Sequence, residues 1–442
     1  MFERTGLWRH GDFLRLWAAQ AVSAFGFRIT RTALPIIAVT TLDQPEVMVS
    51  ILMALQIAPG LLVGLVAGGW IDRSRKRRIL IASDLIRAAA VASLTIAWAV
   101  GVLSMWHVMA TGAVVGAASA LFQITDNTYL PSLIGRRQLA EGNAKLESTE
   151  AIAEITGPAA AGYLIRILGA PLAVLIDAAT YVWSAFLLGG IRATEVKSVE
   201  SGPPRRLGED LQIGFREVFR HPIVRPIVLS HMVWSISGGF FLALYTLFCL
   251  RELRLSEGTF GVIIGMGGVG ALAGALISRK LVRRLGLGRT LIVTSVLSLA
   301  CALFIPLAGS SATGGSFALM VGFLVAHQLL SDGFSVAFVI QAMTLRQTVL
   351  PRETLGRANA AIHVVTSGLL PVAAIIAGVI AELASTRFAI WVGVLVGLVA
   401  PLLLLPLRHL REMPPSSSGE MPASGERPAS GEMPASGEMP AS

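Results

Sequence analysis

Apolar residues fall into twelve long runs along this chain, and polar residues gather in the connections between them. The runs lie near 13–41, 46–71, 79–100, 106–130, 147–168, 170–190, 223–249, 257–278, 288–308, 315–344, 358–382 and 386–407. A helix needs roughly 20 mostly apolar residues to cross a bilayer core. In lipid, a spanning segment must satisfy its own backbone hydrogen bonds, so the runs predict twelve transmembrane helices. The pattern breaks between the sixth and seventh runs. "SGPPRR" is a flexible interruption, and "LGEDLQIGFREVFRHP" then places Leu211, Phe215, Val218 and Phe219 at helical spacing opposite its charges. That spacing predicts an amphipathic helix lying on the membrane surface. The expected organisation is six spans within 1–191, a linker at 192–222, six spans within 223–410 and a tail at 411–442.

Composition supports a membrane solvent. Hydrophobic residues make up 54% of the 442 and charged residues 14%, against about 25% charged in soluble proteins. A net charge of +9 would suit a nucleic-acid partner only if the cations shared a soluble face. They lie in short loops instead, which excludes that class. Of the 36 lysines and arginines, 28 fall at or beside the N-terminus, the even-to-odd connections and the end of span 12. The opposite connections hold four: Arg166, Arg251, Arg254 and Arg387. By the positive-inside rule both termini are cytoplasmic, in a cell-membrane protein. The N-terminus lacks a small-residue cleavage site and does not read as a signal peptide. Cys249 and Cys301 sit in apolar runs and suggest neither a metal site nor a disulfide. No phosphate-binding loop is present, and "GMGGVGALAG", from Gly265, lies inside a span with no preceding strand, so it reads as a helix-packing surface. No cofactor is expected, and no catalytic constellation suggests an enzyme.

The two sets of six spans echo each other. "GGWIDRSRKRR" from Gly68 aligns with "GALISRKLVRR" from Gly274, with Ser278 in place of Asp72. "YLPSLIGRRQLAEGNA" precedes span 5 and "VLPRETLGRANA" precedes span 11. Repeated halves with a midplane site between them are a common plan of secondary transporters. The tail repeats "SGEMPA"-like units, a composition that cannot build a core and predicts disorder.

These features resemble the major facilitator superfamily. Its loop 2–3 signature, G-x-L-x-D-R-x-G-R-[RK], is met by Gly68, Asp72, Arg73, Lys76 and Arg77, with Trp70 for Leu and Arg75 for the second Gly. "FLRLWAAQAVSAFG", "GPAAAGYL", "IDAATYVWSAFLL" and "FRHPIVR" are similar to the drug-exporter branch that holds macrolide-efflux and enterobactin-export proteins. The resemblance implies a twelve-helix fold of two six-helix bundles and transport by alternating access. It also implies a gating motif of Gly68, Asp72, Arg73 and Arg77, with Asp126 as the expected partner of Arg73 or Arg77. Exporters of the family often carry G-x8-G-x3-G-P-x2-G-G in span 5. Gly157, Pro158 and Gly162 match it, while Ala144, Ala153 and Ala161 hold the other glycine positions, which predicts helix packing there.

Ionisable residues inside spans are costly, at about 2.5–3.5 kcal/mol each at the bilayer centre, and mark function by default. Arg28 and Arg31, three apart, share a face of span 1 and are expected in a substrate cavity with Phe27, Trp234, Tyr245 and Gln328. Glu150 and Glu154 share a face of span 5; two close carboxylates resist joint ionisation, which suits proton coupling. Asp332 in span 10 and Asp177 in span 6 are further proton-coupling candidates. The sequence therefore reads as a proton-coupled exporter of amphipathic small molecules, such as a drug, antibiotic or secreted metabolite. Its partners would be the substrate, protons and lipids, and it would act as a monomer. An importer of a small polar or anionic solute on the same fold is the rival, because sequence constrains fold better than direction.

Overall fold

A computed structural model describes residues 6–135, 138–193, 207–309 and 314–411. The repeat tail, the "SGPPRR" break and Arg136 and Arg137 lie outside them, so the expected disorder of the tail is not addressed. Twelve helices are long and apolar enough to span a membrane: Gly11–Thr41, Glu46–Val66, Lys76–Ala99, Met105–Ile134, Leu139–Leu168, Ala170–Gly189, Val224–Glu252, Glu257–Leu285, Leu287–Leu307, Phe317–Val349, Glu353–Leu383 and Thr386–Leu407. They are spans 1 to 12 below. Loops 2–3, 4–5, 6–7, 8–9 and 10–11 mark one end of the molecule, here the basic end.

Most boundaries agree with the hydropathy pattern, and the exceptions share a cause. Span 5 begins at Leu139 rather than near 147, and spans 8 and 10 run on to Leu285 and Val349. These extensions are polar turns at the basic end. They stay helical through contacts such as Lys145 Nζ to Glu141 at 3.2 Å, an i,i+4 pair favoured on helix surfaces. Hydropathy detects the membrane-embedded part of a helix, not its helical end. Span 2 stops earlier than expected, at Val66, and Gly68–Arg73 forms a separate short helix. At the opposite end, spans 4, 8, 10 and 12 each start on a serine whose side chain accepts a backbone N–H three residues on: Ser104, Ser256, Ser316 and Ser385. Each cap supplies one of the helix's unsatisfied first-turn donors with an acceptor.

The spans pack as two groups of six. In the first, span 1 lies against spans 5 and 6, span 2 against 4, and span 3 against 4 and 6. In the second, span 7 lies against 11 and 12, span 8 against 10, and span 9 against 10. The groups meet mainly through spans 5 and 8 and spans 2 and 11. At the end opposite the basic loops a single apolar core runs through both groups, from Ala33, Ile37 and Leu52 to Leu247, Phe248 and Ala377. At the basic end the core divides in two: Phe13, Leu16, Tyr129 and Leu188 in one group, Val224, Leu287, Leu345 and Leu404 in the other. The molecule is therefore joined at one end and parted at the other.

Glycines permit the junction. A Cβ on Gly162 would lie 2.5 Å from the Glu257 carbonyl and 3.0 Å from Gly261 Cα, and one on Gly268 would lie 2.8 Å from Ile155 Cα. The helices approach too closely there for a side chain. The glycine-rich run of span 8 serves two neighbours, because Gly270 and Gly274 meet the span 10 backbone at Leu329 and Gly333.

The amphipathic segment forms a helix, Leu207–Arg220, but its seat differs from the expected membrane surface. It packs on span 11 and, less extensively, span 7. Val218 is buried in the second group's core, Gly214 abuts the Arg357 carbonyl, and Asp210 binds Arg357 Nε at 2.7 Å. Its apolar face packs on protein in part, with Val218 buried and Leu211, Phe215 and Phe219 half-buried.

Candidate transport cavity

A cavity of about 720 Å³ lies between spans 1, 2, 4 and 5 and reaches Pro131, Leu139 and Asn143 at the basic end. Its wall mixes apolar side chains, among them Trp17, Phe27, Leu61 and Phe122, with Gln20, Gln56, Gln123, Asn127 and Arg31. The second group of spans contributes Leu242 and His363.

Arg28 is 6% exposed yet ion-paired twice. Its Nη2 lies 2.5 Å from Glu150 Oε1 and also contacts Glu154 Oε2. The side chains of both glutamates remain about half exposed, at 51% and 50%. The helix periodicity that sets Glu150 and Glu154 four apart on one face also brings Gly157 close to it. A Cβ there would sit 2.7 Å from Arg28 Cγ, so Gly157 is the notch that admits the arginine stem. Phe27 lies 5.6 Å from the guanidinium. Arg31 lines the same cavity and has no hydrogen-bond or ion-pair partner among the described residues. Gln20 donates to Asp126 Oδ1 at 2.5 Å, and Trp17 Nε1 donates to Thr149 at 3.0 Å.

Several sequence-predicted residues lie elsewhere. Trp234, Tyr245 and Gln328 do not line this cavity. Trp234 packs edge-on to His231, and Tyr245 packs against Phe260 and His327. Gln328 and Asp332 face Gly267 of span 8. Asp332 is close enough to Glu154 for the two charges to interact across the groups. Asp177 is fully buried behind span 1 and away from the cavity. In the loop 2–3 motif, Gly68 opens the short helix, Arg73 is exposed, and the side chain of Asp72 lies outside the described set. Arg77 donates to the Ile191 carbonyl at 2.6 Å and to that of Gly189, and Lys76 to the Thr128 carbonyl at 3.0 Å. The motif thus ties the basic ends of spans 3, 4 and 6 together. Asp126 is held by Gln20, so its expected pairing with Arg73 or Arg77 is not made in this conformation.

Sequence reasoning missed the closure at the other end. Arg251 Nη2 lies 2.9 Å from Asp43 and 2.9 Å from the Gln44 carbonyl, and its Nη1 lies 3.3 Å from Glu46. This clamp joins loop 1–2 to the end of span 7. A signal was available: Arg251 is among the few cations on that side, and Asp43 and Glu46 are acids there.

Twelve spans in two groups of six, around a cavity open at one end, is the architecture of one large transporter family. The family's sequence profile matches residues 16–369. The chain belongs to the Major Facilitator Superfamily. It is thus a multi-pass membrane transporter, in a family of transporters rather than enzymes. Among Major Facilitator relatives it is 25% identical to an uncharacterised MFS-type transporter, YvqJ of Bacillus subtilis, over 79% of this chain and 82% of that one. It is 26% identical to Macrolide efflux protein A of Streptococcus pyogenes over 46% of this chain, about half (50%) of that protein. Solved structures share the fold. A bacterial homologue of the iron transporter ferroportin in an inward-facing state superposes with TM-score 0.71 at 19% identity, covering 92% of this chain and 100% of that one. The nucleoside transporter NupG superposes with TM-score 0.70 at 12% identity, covering 90% and 98%.

Proposed function

We propose that this transporter exports amphipathic small molecules from the cytoplasm in exchange for protons, by alternating access. The observation that carries the reading is the Arg28–Glu150–Glu154 cluster beside the cavity. Two carboxylates share one buried guanidinium, so a single cation serves both of them directly. A proton added to either carboxylate leaves the other still paired with Arg28. The same glutamates are half exposed, so they can exchange that proton with water or yield to a substrate group.

The charge asymmetry of the loops supports a cytoplasmic basic end and cytoplasmic termini, and on that reading the described conformation is inward-facing. In the cycle that follows, the glutamate pair releases a proton to the cytoplasm as substrate enters. The substrate's apolar body rests on Trp17, Phe27 and Phe122, and a polar or anionic group meets Arg31. A cavity of this size suits a drug-sized ligand, since such pockets run about 300–1,000 Å³. Closure of the basic end and rupture of the shared core then open the cavity outward. Substrate leaves, and the pair is protonated from outside. Rigid rocking of two six-span groups about a fixed site requires no other moving part. The partial likeness to Macrolide efflux protein A supports the outward direction. The protein would act as a monomer in the cell membrane.

The test is growth of a pump-deficient host, with and without the protein, on macrolides and lipophilic dyes. Increased tolerance that a protonophore abolishes is the expected result. Increased sensitivity would identify uptake instead and overturn the direction.

A further inference from the structure

Behind the cavity, spans 1, 3, 4 and 6 enclose a second polar cluster, for which export provides no role. Asp84, Asp177, Tyr181 and Ser184 are 0% exposed, Thr30 1% and Arg87 4%. Arg87 Nη2 binds Asp84 Oδ1 and its Nη1 reaches Ser119 Oγ at 3.4 Å. Its guanidinium is sandwiched by the rings of Tyr181 at 4.3 Å and Phe122 at 4.6 Å, which pins a cation in place. Asp177 has no such partner. Its Oδ1 accepts from Thr180 at 3.1 Å, while Oδ2 accepts nothing. Thr30 Oγ1, Tyr181 Oη, Ser184 Oγ, Asp84 Oδ2 and Arg87 Nε likewise make no well-formed hydrogen bond, although the Thr30 and Tyr181 hydroxyls lie beside Asp177 and that of Ser184 beside Asp84. Buried polar atoms are nearly always paired, so this concentration in one place points to something bound.

The charges say what. Asp84 and Asp177 against Arg87 leave one negative charge in excess, sealed from water. A buried anion without a counter-ion is neutralised rather than tolerated. Water can satisfy the orphaned oxygens but cannot remove the charge. A multivalent metal ion is a poor fit, since no group of three or more His, Cys, Asp or Glu among the described residues could hold one.

We propose that this cluster is a one-proton site, separate from the Arg28–Glu150–Glu154 pair, with the proton carried on Asp177 Oδ2. Asp84 already holds Arg87, whereas Asp177 faces neutral hydroxyls. The titratable and charged groups near it are Tyr181 on its own span and Arg87 and Asp84 on span 3; span 1 offers Thr30 and the close backbone of Gly26. The added O–H of Asp177 donates to a neighbouring hydroxyl and so satisfies two orphaned oxygens at once. Arg87 and Ser119 also line the cavity, which gives the proton a way in. The site depends on neither the direction of transport nor the glutamate pair.

Charge counting makes a specific test. Asp84→Asn would leave Arg87 to balance an ionised Asp177, so that variant needs no proton. Infrared difference spectra of the full-length protein in lipid nanodiscs, recorded against pH, read protonated carboxyls directly. Wild type is expected to show a protonated-carboxyl band at neutral pH that sodium does not alter. The band is expected to be lost in Asp177→Asn and also in Asp84→Asn, and kept in the Glu150→Gln/Glu154→Gln double variant. A band that survives in Asp177→Asn, or is unchanged in Asp84→Asn, would overturn the proposal. So would a wild type that lacks the band and is stabilised by sodium against heat, since the occupant would then be a sodium ion. Loss of the band only in the glutamate variant would assign the proton to the cavity pair. Drug tolerance in cells is read separately, so failure of the export reading would leave this result standing.

Discussion

The two six-span groups differ in what they bury. The first holds most of the ionisable chemistry: Arg28 with Glu150 and Glu154, Arg87 with Asp84, and Asp177 and Asp126. The second buries mainly hydroxyls that bond to helix backbone, as Thr294 does to the Thr290 carbonyl and Ser298 to that of Ser331. It also presents glycines at the junction: Gly261, Gly265 and Gly268 to span 5, and Gly378 to span 2. One group therefore carries most of the charged side chains at the cavity, and the other supplies a surface smooth enough to pack closely against it. Repeated halves need not share the work equally.

The sharpest way to break this comparison is to roughen the smooth surface. Gly261→Leu, on span 8, would drive a side chain into the Pro158 carbonyl and the Gly162 backbone, with no flexible neighbour to yield. Transport is expected to disappear while insertion persists. Spin-label distances should show the end opposite the basic loops held apart; unchanged distances would mean that the glycine contacts do not govern closure.

A smaller but still large effect is expected from the group richer in charge. Arg28→Met leaves Glu150 and Glu154 facing each other without a cation. Breaking a fully buried pair costs about 3–5 kcal/mol; half-exposed glutamates are partly screened by water, so about 2–3 kcal/mol is expected, or roughly 30–150-fold in transport at about 1.4 kcal/mol per tenfold. Initial efflux rates in vesicles measure it. A loss below about threefold would make the cluster a minor support.

The smallest effect lies at the outer clamp. Arg251→Ala removes contacts to Asp43, Glu46 and the Gln44 carbonyl. Partly exposed ion pairs contribute about 0.2–1 kcal/mol each, so losing two should shift the population by about twofold to at most about thirtyfold towards the conformation open at that end. Cysteine accessibility beside Asp43 reports the shift.

Much of this architecture is legible in the sequence, for local reasons. Twelve apolar runs, a repeated basic loop and a one-sided distribution of Lys and Arg all follow from short windows of residues. The glycine run of span 8 also reads correctly as packing, because only close helices need it. What stays hidden is long-range. Arg28 and Glu150 are 122 residues apart, and nothing local says that one arginine serves two glutamates. Gly157 looks like a generic packing glycine until Arg28 is seen to fill its notch. The aromatic face of span 7 misled because periodicity gives a face without saying what it meets: Tyr245 meets Phe260 and His327 rather than the cavity.

The central claim is that the glutamate pair bound to Arg28, with Glu150 on the cavity wall, exchanges the coupling proton. It is tested most directly by Glu150→Gln/Glu154→Gln, reconstituted in vesicles and assayed for macrolide efflux with and without an imposed pH gradient. The account predicts that the double variant still equilibrates substrate down its own gradient but loses acceleration by the pH gradient. Acceleration equal to that of wild type would contradict it.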